Sequence, residues 1–266
     1  MMNHYSMTQF AASVAEAFGS EAPKNAGPAI PAVGAMAKDA FGGPADRLLI
    51  YNPDCLGLWF WQKYTDRYLP VMVNTRLTVP IATVMPAVTP VCFGTMYTGA
   101  MPAVHGIESY CKPVIKLDSL FDSMARSGKK VALVAVKDSS MAKIFLNRAI
   151  DYMIEPDDAA CVERGLELVK QDRHDAVIVY NQDYDDCIHD YTPEDPKALD
   201  AAWRHIRDFG RLADAVREDW KQHDTLLVWA PDHGNHLDWD GHGNHGEFRE
   251  EDINTVHFFG AFPKQK

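Results

Sequence analysis

Apolar residues are arranged along the chain in two periods. Unbroken runs at Leu48–Tyr51, Val131–Val136, Ala176–Tyr180, Thr225–Trp229 and Val256–Phe259 have the length of strands buried on both faces. Between them lie helical patterns. In the clearest, over residues 197–222, Leu199, Trp203, Ile206, Phe209, Leu212, Val216 and Trp220 recur every three or four positions and make one apolar stripe. A short amphipathic helix is expected near Thr8–Phe18, followed by a stretch over 23–45 rich in Pro, Gly and Ala that reads as an irregular connector. Strands alternating with helices predict an α/β fold with a mostly parallel central sheet flanked by helices. The expected division is an N-terminal helix and connector over 1–45 and one main domain over 46–266.

Composition changes this picture little. A chain of 266 residues buries an adequate core without covalent staples. The net charge of −11 excludes a general nucleic-acid surface, so no duplex binding is expected. The five cysteines are odd in number and contain no CxxC, which excludes a disulfide framework or a zinc finger. No leader and no apolar stretch long enough for a membrane span is read, so a soluble cytoplasmic protein is expected.

The polar residues are more informative. The run ending in Asn52 leads into Pro53-Asp54, the run ending in Asn181 leads to Asp185 and His189, and the run ending in Ala230 leads into Pro231-Asp232-His233. Ligands of open α/β sheets bind beyond the carboxyl ends of the strands, so three strands deliver acids or imidazoles to one edge. Five of the eleven histidines fall between His223 and His245, interspersed with Asp and Gly, a mixture suited to divalent metals. If Asp185 and His189 lie on a helix, their spacing of four puts them on one face. Thr89-Pro90 opens a segment closed by Gly99, so Thr89 is expected as an N-cap with Pro90 at the first helical position. A hydroxyl there faces the positive end of the helix, a place that favours anions.

In their order these pieces resemble the alkaline phosphatase superfamily, especially its nucleotide pyrophosphatase/phosphodiesterase branch. Four pieces carry the resemblance: LLIYNPD ending at Asp54, TPVCFGTMYTGAMPAVHGI beginning at Thr89, Asp185 and His189 before Tyr191-Thr192-Pro193, and Asp232-His233-Gly234 followed by His245-Gly246. The resemblance spans about residues 46–262 and implies an alkaline phosphatase-like catalytic core. It implies two divalent ions, zinc first, with manganese or iron also suited. Asp185, His189 and His245 would hold one; Asp54, Asp232 and His233 would hold the other. Thr89 would attack phosphorus, and the resulting phosphothreonine would then be hydrolysed. The expected substrate is a small phosphodiester or phosphomonoester.

His245 is preferred to His242 as the last ligand because it precedes the final strand at Val256 by the family's spacing of eleven. His236 and His242 are expected at the surface, and Cys55, Cys92 and Cys187 as small packing residues. The chain departs from the diesterase pattern at Tyr110, where those enzymes carry Asn, and lacks an obvious counterpart of the phosphate-holding Arg of monoesterases. Tyr110 and Lys112 are expected to assist in substrate binding. Other activities compatible with such a core are a metal-dependent phosphomutase, a phosphonate hydrolase, a sulfatase (against which the threonine speaks) and a non-catalytic metal-binding relative.

Overall fold

The computed structural model describes residues 2–265. Its strands are β1 (Tyr5–Ser6), β2 (Arg47–Pro53), β3 (Leu77–Ala82), β4 (Val131–Val136), β5 (Asp151–Glu155), β6 (Ala176–Asn181), β7 (Thr225–Trp229), β8 (His236–Leu237), β9 (Gly243–Asn244) and β10 (Asn254–Phe262). Its α-helices are α1 (Phe10–Phe18), α2 (Pro31–Phe41), α3 (Leu58–Lys63), α4 (Leu69–Met72), α5 (Thr89–Thr98), α6 (Pro102–His105), α7 (Leu120–Arg126), α8 (Ser140–Ile144), α9 (Asp158–Gln171), α10 (Asp183–Asp190), α11 (Pro196–Asp219) and α12 (Glu250–Ile253).

Eight strands form one sheet in the order β1-β3-β10-β7-β2-β6-β4-β5. The five from β7 to β5 pair in parallel, whereas β10 runs antiparallel to both β3 and β7. Alternate residues of each central strand serve different layers. Leu48, Ile50, Leu133, Ile178 and Leu226 pack beneath α1, α2, α5 and α7. Leu49, Tyr51, Val134, Val177 and Trp229 pack against α9 and α11 on the other face. The result is a helix–sheet–helix arrangement with the alkaline phosphatase-like fold that the motif order implies.

The five expected strands are present, and the long amphipathic pattern forms α11, whose buried positions include Ile206, Phe209, Leu212 and Val216. Three strands of this sheet went unread, as did the two-residue pair β8 and β9. Pro80 interrupts β3, but β1 pairs only with Ile81 and Ala82, so Pro80 lies where that side of β3 is an open edge. β5 is a five-residue strand at the opposite edge, partly exposed, with no apolar run to announce it. β1 has two residues. The segment expected as an irregular connector contains the helix α2: Pro31 sits at its start, its alanines favour helix, and Gly42 ends it at φ 78°.

Candidate active site

The sheet order explains why three distant acids meet. Asp54 follows β2, Asp185 lies just beyond β6 in α10, and Asp232 follows β7; β7, β2 and β6 are neighbours. The loops after β2 and β7 are packed backbone on backbone, since a Cβ added at Gly57 would lie 2.9 Å from the Gly234 Cα. Asn52 joins these strand ends to α5, donating to the Ala230 carbonyl at 2.6 Å and accepting from the Tyr97 hydroxyl at 2.7 Å. His105, from the HGI sequence, has a related duty. Its Nδ1 accepts from the Ile107 N–H at 3.3 Å, so Nε2 carries the hydrogen and donates to Thr95 Oγ1 at 3.0 Å. It thereby fastens the segment after α5 to that helix.

α10 is anchored from outside. Its first turn has no side-chain cap of its own. Asp158 of α9 accepts the Gln182 and Asp183 N–H groups at 2.9 and 2.8 Å, and His205 of α11 accepts the Tyr184 N–H at 3.3 Å. Amide groups that a helix start leaves orphaned are thus satisfied by two neighbouring helices. That orientation turns Asp185 and His189 toward the strand ends.

Two clusters result. In the first, His245 Nε2 lies 3.3 Å from Asp185 Oδ1 and 3.2 Å from His189 Nε2, and His189 Nε2 lies 3.5 Å from Asp185 Oδ2. In the second, His233 Nε2 lies 3.4 Å from both Asp54 Oδ1 and Asp232 Oδ2. The clusters touch, with the His233 and His245 rings stacked at 4.2 Å between centroids. The first opens to solvent through His189, whose side chain is 45% exposed, whereas the second is fully buried. Thr89 Oγ1 stands 3.3 Å from His233 Nε2. Thr89 is the first residue of α5 and not its N-cap; Val88 holds that position, and the hydroxyl engages the imidazole instead of a helix amide.

The arrangement fits divalent cations on its own chemistry. Asp54 Oδ1, Asp185 Oδ1 and Asp232 Oδ2 are buried with no hydrogen-bond partner, a costly state for carboxylates. His233 and His245 direct Nδ1 to the Gly234 and Ala87 carbonyls at 3.0 and 2.9 Å. With the hydrogen fixed on Nδ1, each Nε2 presents a lone pair to the orphaned oxygens, the usual presentation of a metal-binding imidazole. Sequence reasoning missed Tyr180, whose hydroxyl donates to Asp54 Oδ2 from within an apolar run.

The other expected residues are distributed unevenly. His242 is exposed in the loop between β8 and β9, 3.4 Å from Asp240. His236 was expected at the surface and is instead 5% exposed: its Nδ1 meets Asp252 Oδ1 at 2.7 Å, an acid supplied by the later helix α12. Tyr110 is largely exposed beside the site; burial of its inner part raises the phenol pKa, with the charges of Asp185 and Asp54 adding to it. Lys112 donates to the Asp138 carbonyl at 3.0 Å, and its ammonium lies 5.6 Å from the Tyr110 ring centroid. Cys92 accepts a hydrogen bond from Thr83 at 3.0 Å and is a packing residue.

Without cations these charges are held by protons. Burial, aided by the Asp232 charge, raises the Asp54 carboxyl well above its usual range, and burial raises Asp232 to about 7. Burial also raises Asp158 to about 8. For Asp185, burial is outweighed by the His245 and His189 imidazoles, which hold its carboxyl well below normal; the same pairing lifts His245 to about 9 against its own burial. Groups with raised folded pKa values bind more protons folded than unfolded, so they add stability as pH falls from 9 toward 6.5. Below 6.5 four imidazoles oppose this gain, because burial has lowered His233 and His205 to about 3 and His105 and His257 to about 4, and unfolding frees them to take protons, while the raised carboxyls go on adding stability toward pH 4. Chelator-treated protein is therefore expected to have a higher Tm at about pH 6.5 than at about pH 9, when melts are followed by circular dichroism. A Tm that climbs steadily toward pH 9 would refute this account of the buried charges.

No protein-family model and no curated protein matches this sequence. The fold is shared with solved structures. Murine ectonucleotide pyrophosphatase/phosphodiesterase 5 aligns at 14% identity over 72% of this chain and 58% of its own, with a TM-score of 0.58. Phosphonoacetate hydrolase from Sinorhizobium meliloti 1021, in complex with phosphonoacetate, aligns at 15% identity over 73% of this chain and 58% of its own, with a TM-score of 0.53. A 2-O GAG sulfatase aligns at 12% identity over 81% and 64%, with a TM-score of 0.57. This chain spans less than two thirds of the length of these three proteins. At such identities the likeness is one of fold; all three carry the names of hydrolytic enzymes acting on phosphorus or sulfur compounds. Among the described residues no helix is long and apolar enough to cross a membrane.

Proposed function

We propose that the protein is a two-metal phosphohydrolase in which Thr89 is the nucleophile. The observation that carries this reading is the gathering of three unpartnered buried carboxylate oxygens and three imidazoles in two touching clusters, one of which meets a threonine at a helix start. Asp185, His189 and His245 would hold one divalent cation, and Asp54, Asp232 and His233 the other. When bound, the cations supply charge neutralisation of the phosphoryl group and acidify hydroxyls near them, the effect expected of a two-metal clamp. The oxygen and nitrogen donors suit zinc, and also manganese or iron.

The chain's own residues define the rest. Thr89 presents its oxygen at the positive end of α5, where the helix dipole favours phosphoryl oxygens. Attack on phosphorus forms a phosphothreonine and expels the ester alcohol; water entering by the open His189 side then hydrolyses it and regenerates Thr89. Tyr180 holds Asp54 in position through its hydrogen bond to Oδ2. The buried second cluster keeps water away from the nucleophile's inner side.

We infer a preference for phosphodiesters over phosphomonoesters. A dianionic monoester needs an added cation beside the metals, and Lys112, the cation best placed in sequence, is committed to the Asp138 carbonyl. Tyr110 offers a neutral hydrogen bond, which suits a singly charged diester. Steady-state kcat/KM for bis-aryl and mono-aryl phosphates on one preparation tests this, with the diester expected to be faster. A monoester preference beyond about tenfold, worth about 1.4 kcal/mol, would overturn the preference and leave the metal reading intact.

A further inference from the structure

The residue after the first candidate ligand is a cysteine. Cys55 is fully buried, and its backbone takes a φ of 68°, a conformation that residues with a side chain rarely adopt. Its N–H donates to Asp232 Oδ1 at 3.2 Å, so it is tied directly to the second cluster. The thiol approaches the Gly234 carbonyl at 3.7 Å, and the Asn235 amide donates to the sulfur at 3.5 Å. The sulfur, a carboxylate oxygen of Asp185 and an imidazole nitrogen of His233 all lie within 4.8 Å of one another. Cys55 therefore bridges the two clusters, reaching Asp185 of one and His233 of the other.

A cysteine in a protein interior is ordinarily a small packing residue. A separate observation marks this surrounding as built for a cation. Asp54 Oδ1 and Asp232 Oδ2, in residues 1% and 0% exposed, lack hydrogen-bond partners and converge on the same His233 Nε2. Resting on the two-metal reading above, we propose that the Cys55 sulfur is a further ligand of this centre, which makes it selective for thiophilic cations such as zinc over manganese or magnesium. The sulfur–metal bond forms as the thiol hydrogen leaves to solvent as a proton, with no change of oxidation state. Soft sulfur donors favour zinc and disfavour magnesium and manganese, which are matched by oxygen. An all-oxygen-and-nitrogen site already favours zinc over manganese, and a sulfur ligand widens that margin.

Cobalt(II) is a spectroscopic substitute for zinc, and a cobalt–thiolate bond gives an intense charge-transfer band in the near ultraviolet. The full-length metal-free protein is titrated with Co2+, with bound metal measured in parallel. The wild-type protein is expected to develop the band. Cys55→Ser and Cys55→Gly are expected to lose it while Cys111→Ser keeps it. Zinc affinity relative to manganese is expected to fall in Cys55→Ser by on the order of tenfold or more, as when a group around a metal is removed. Gly suits the left-handed backbone at position 55, so Cys55→Gly supplies a folded variant if the serine form fails to fold. Two equivalents of cobalt bound with no band, or a band that survives in Cys55→Gly, would overturn the sulfur assignment and leave the two-metal reading standing. Failure of the wild type to bind cobalt at all would overturn both.

Discussion

Replacing Thr89 with alanine is expected to lower turnover by about a thousandfold or more, equivalent to at least about 4 kcal/mol of transition-state stabilisation. The size follows from removing the attacking atom in covalent catalysis, where no neighbouring group is positioned to take its place. Thr95, the next hydroxyl on α5, is engaged by His105 at 3.0 Å, and Thr83 is engaged by Cys92 at 3.0 Å. The fold should persist, because Thr89 makes no cap hydrogen bond to its helix and Val88 is the N-cap. Thr89→Ser keeps an oxygen at the same place and should retain part of the rate. The checks are kcat on an aryl phosphodiester and far-ultraviolet circular dichroism of the three proteins. A near-normal rate in Thr89→Ala would remove Thr89 from the reaction.

Removing divalent cations is expected to abolish activity, with recovery on adding zinc or manganese. The purified chain should bind up to two ions, and chelation should also lower Tm at neutral pH, because a cation bound by the folded state alone stabilises it. The buried carboxylates give this effect its strength: Asp54 and Asp232 are 1% and 0% exposed, and with no cation they sit in one another's field. His245→Ala should reduce the stoichiometry or affinity of one site, since His245 Nε2 lies 3.3 Å from Asp185, whereas His242→Ala should leave both sites as they are. Elemental analysis and activity in chelator decide the matter. A metal-free preparation with full activity would refute the two-metal reading, and a larger loss in His242→Ala would transfer the ligand role to that residue.

The strand-end acids were legible in sequence because a buried parallel strand must be apolar, so an Asp at its carboxyl end stands out. Asp54, Asp185 and Asp232 were found in this way. Their meeting at one edge was expected from the strand ends and the motif order, but its cause, the adjacency of β7, β2 and β6, is not dictated by the strand runs alone. Tyr180 was hidden for the opposite reason: as an aromatic residue inside an apolar run it reads as core, and its hydroxyl shows a role only beside Asp54. His236 was misjudged because its partner, Asp252, comes from sixteen residues later. The anchoring of α10 by Asp158 and His205 is invisible to any local pattern, because its two acceptors come from other helices. The irregular reading of 23–45 gave too much weight to Pro and Gly, each of which is at home at a helix boundary.

The placement of β10 has a consequence for how the chain reaches this state. β10 lies between β3 and β7, with Val256 beside Pro80 and Phe259 beside Val228. Among the described strands it comes latest in the chain, yet it joins the β1-β3 pair to the five parallel strands. Until residues 254–262 are available, β3 and β7 each have an open hydrogen-bonding edge. Assembly must close loops of well over a hundred residues before these contacts reward it, which predisposes to slow folding. On the nascent chain β3 therefore carries an exposed, adhesive edge until β10 emerges, a condition in which chaperones that bind unpaired strands have the greatest purchase.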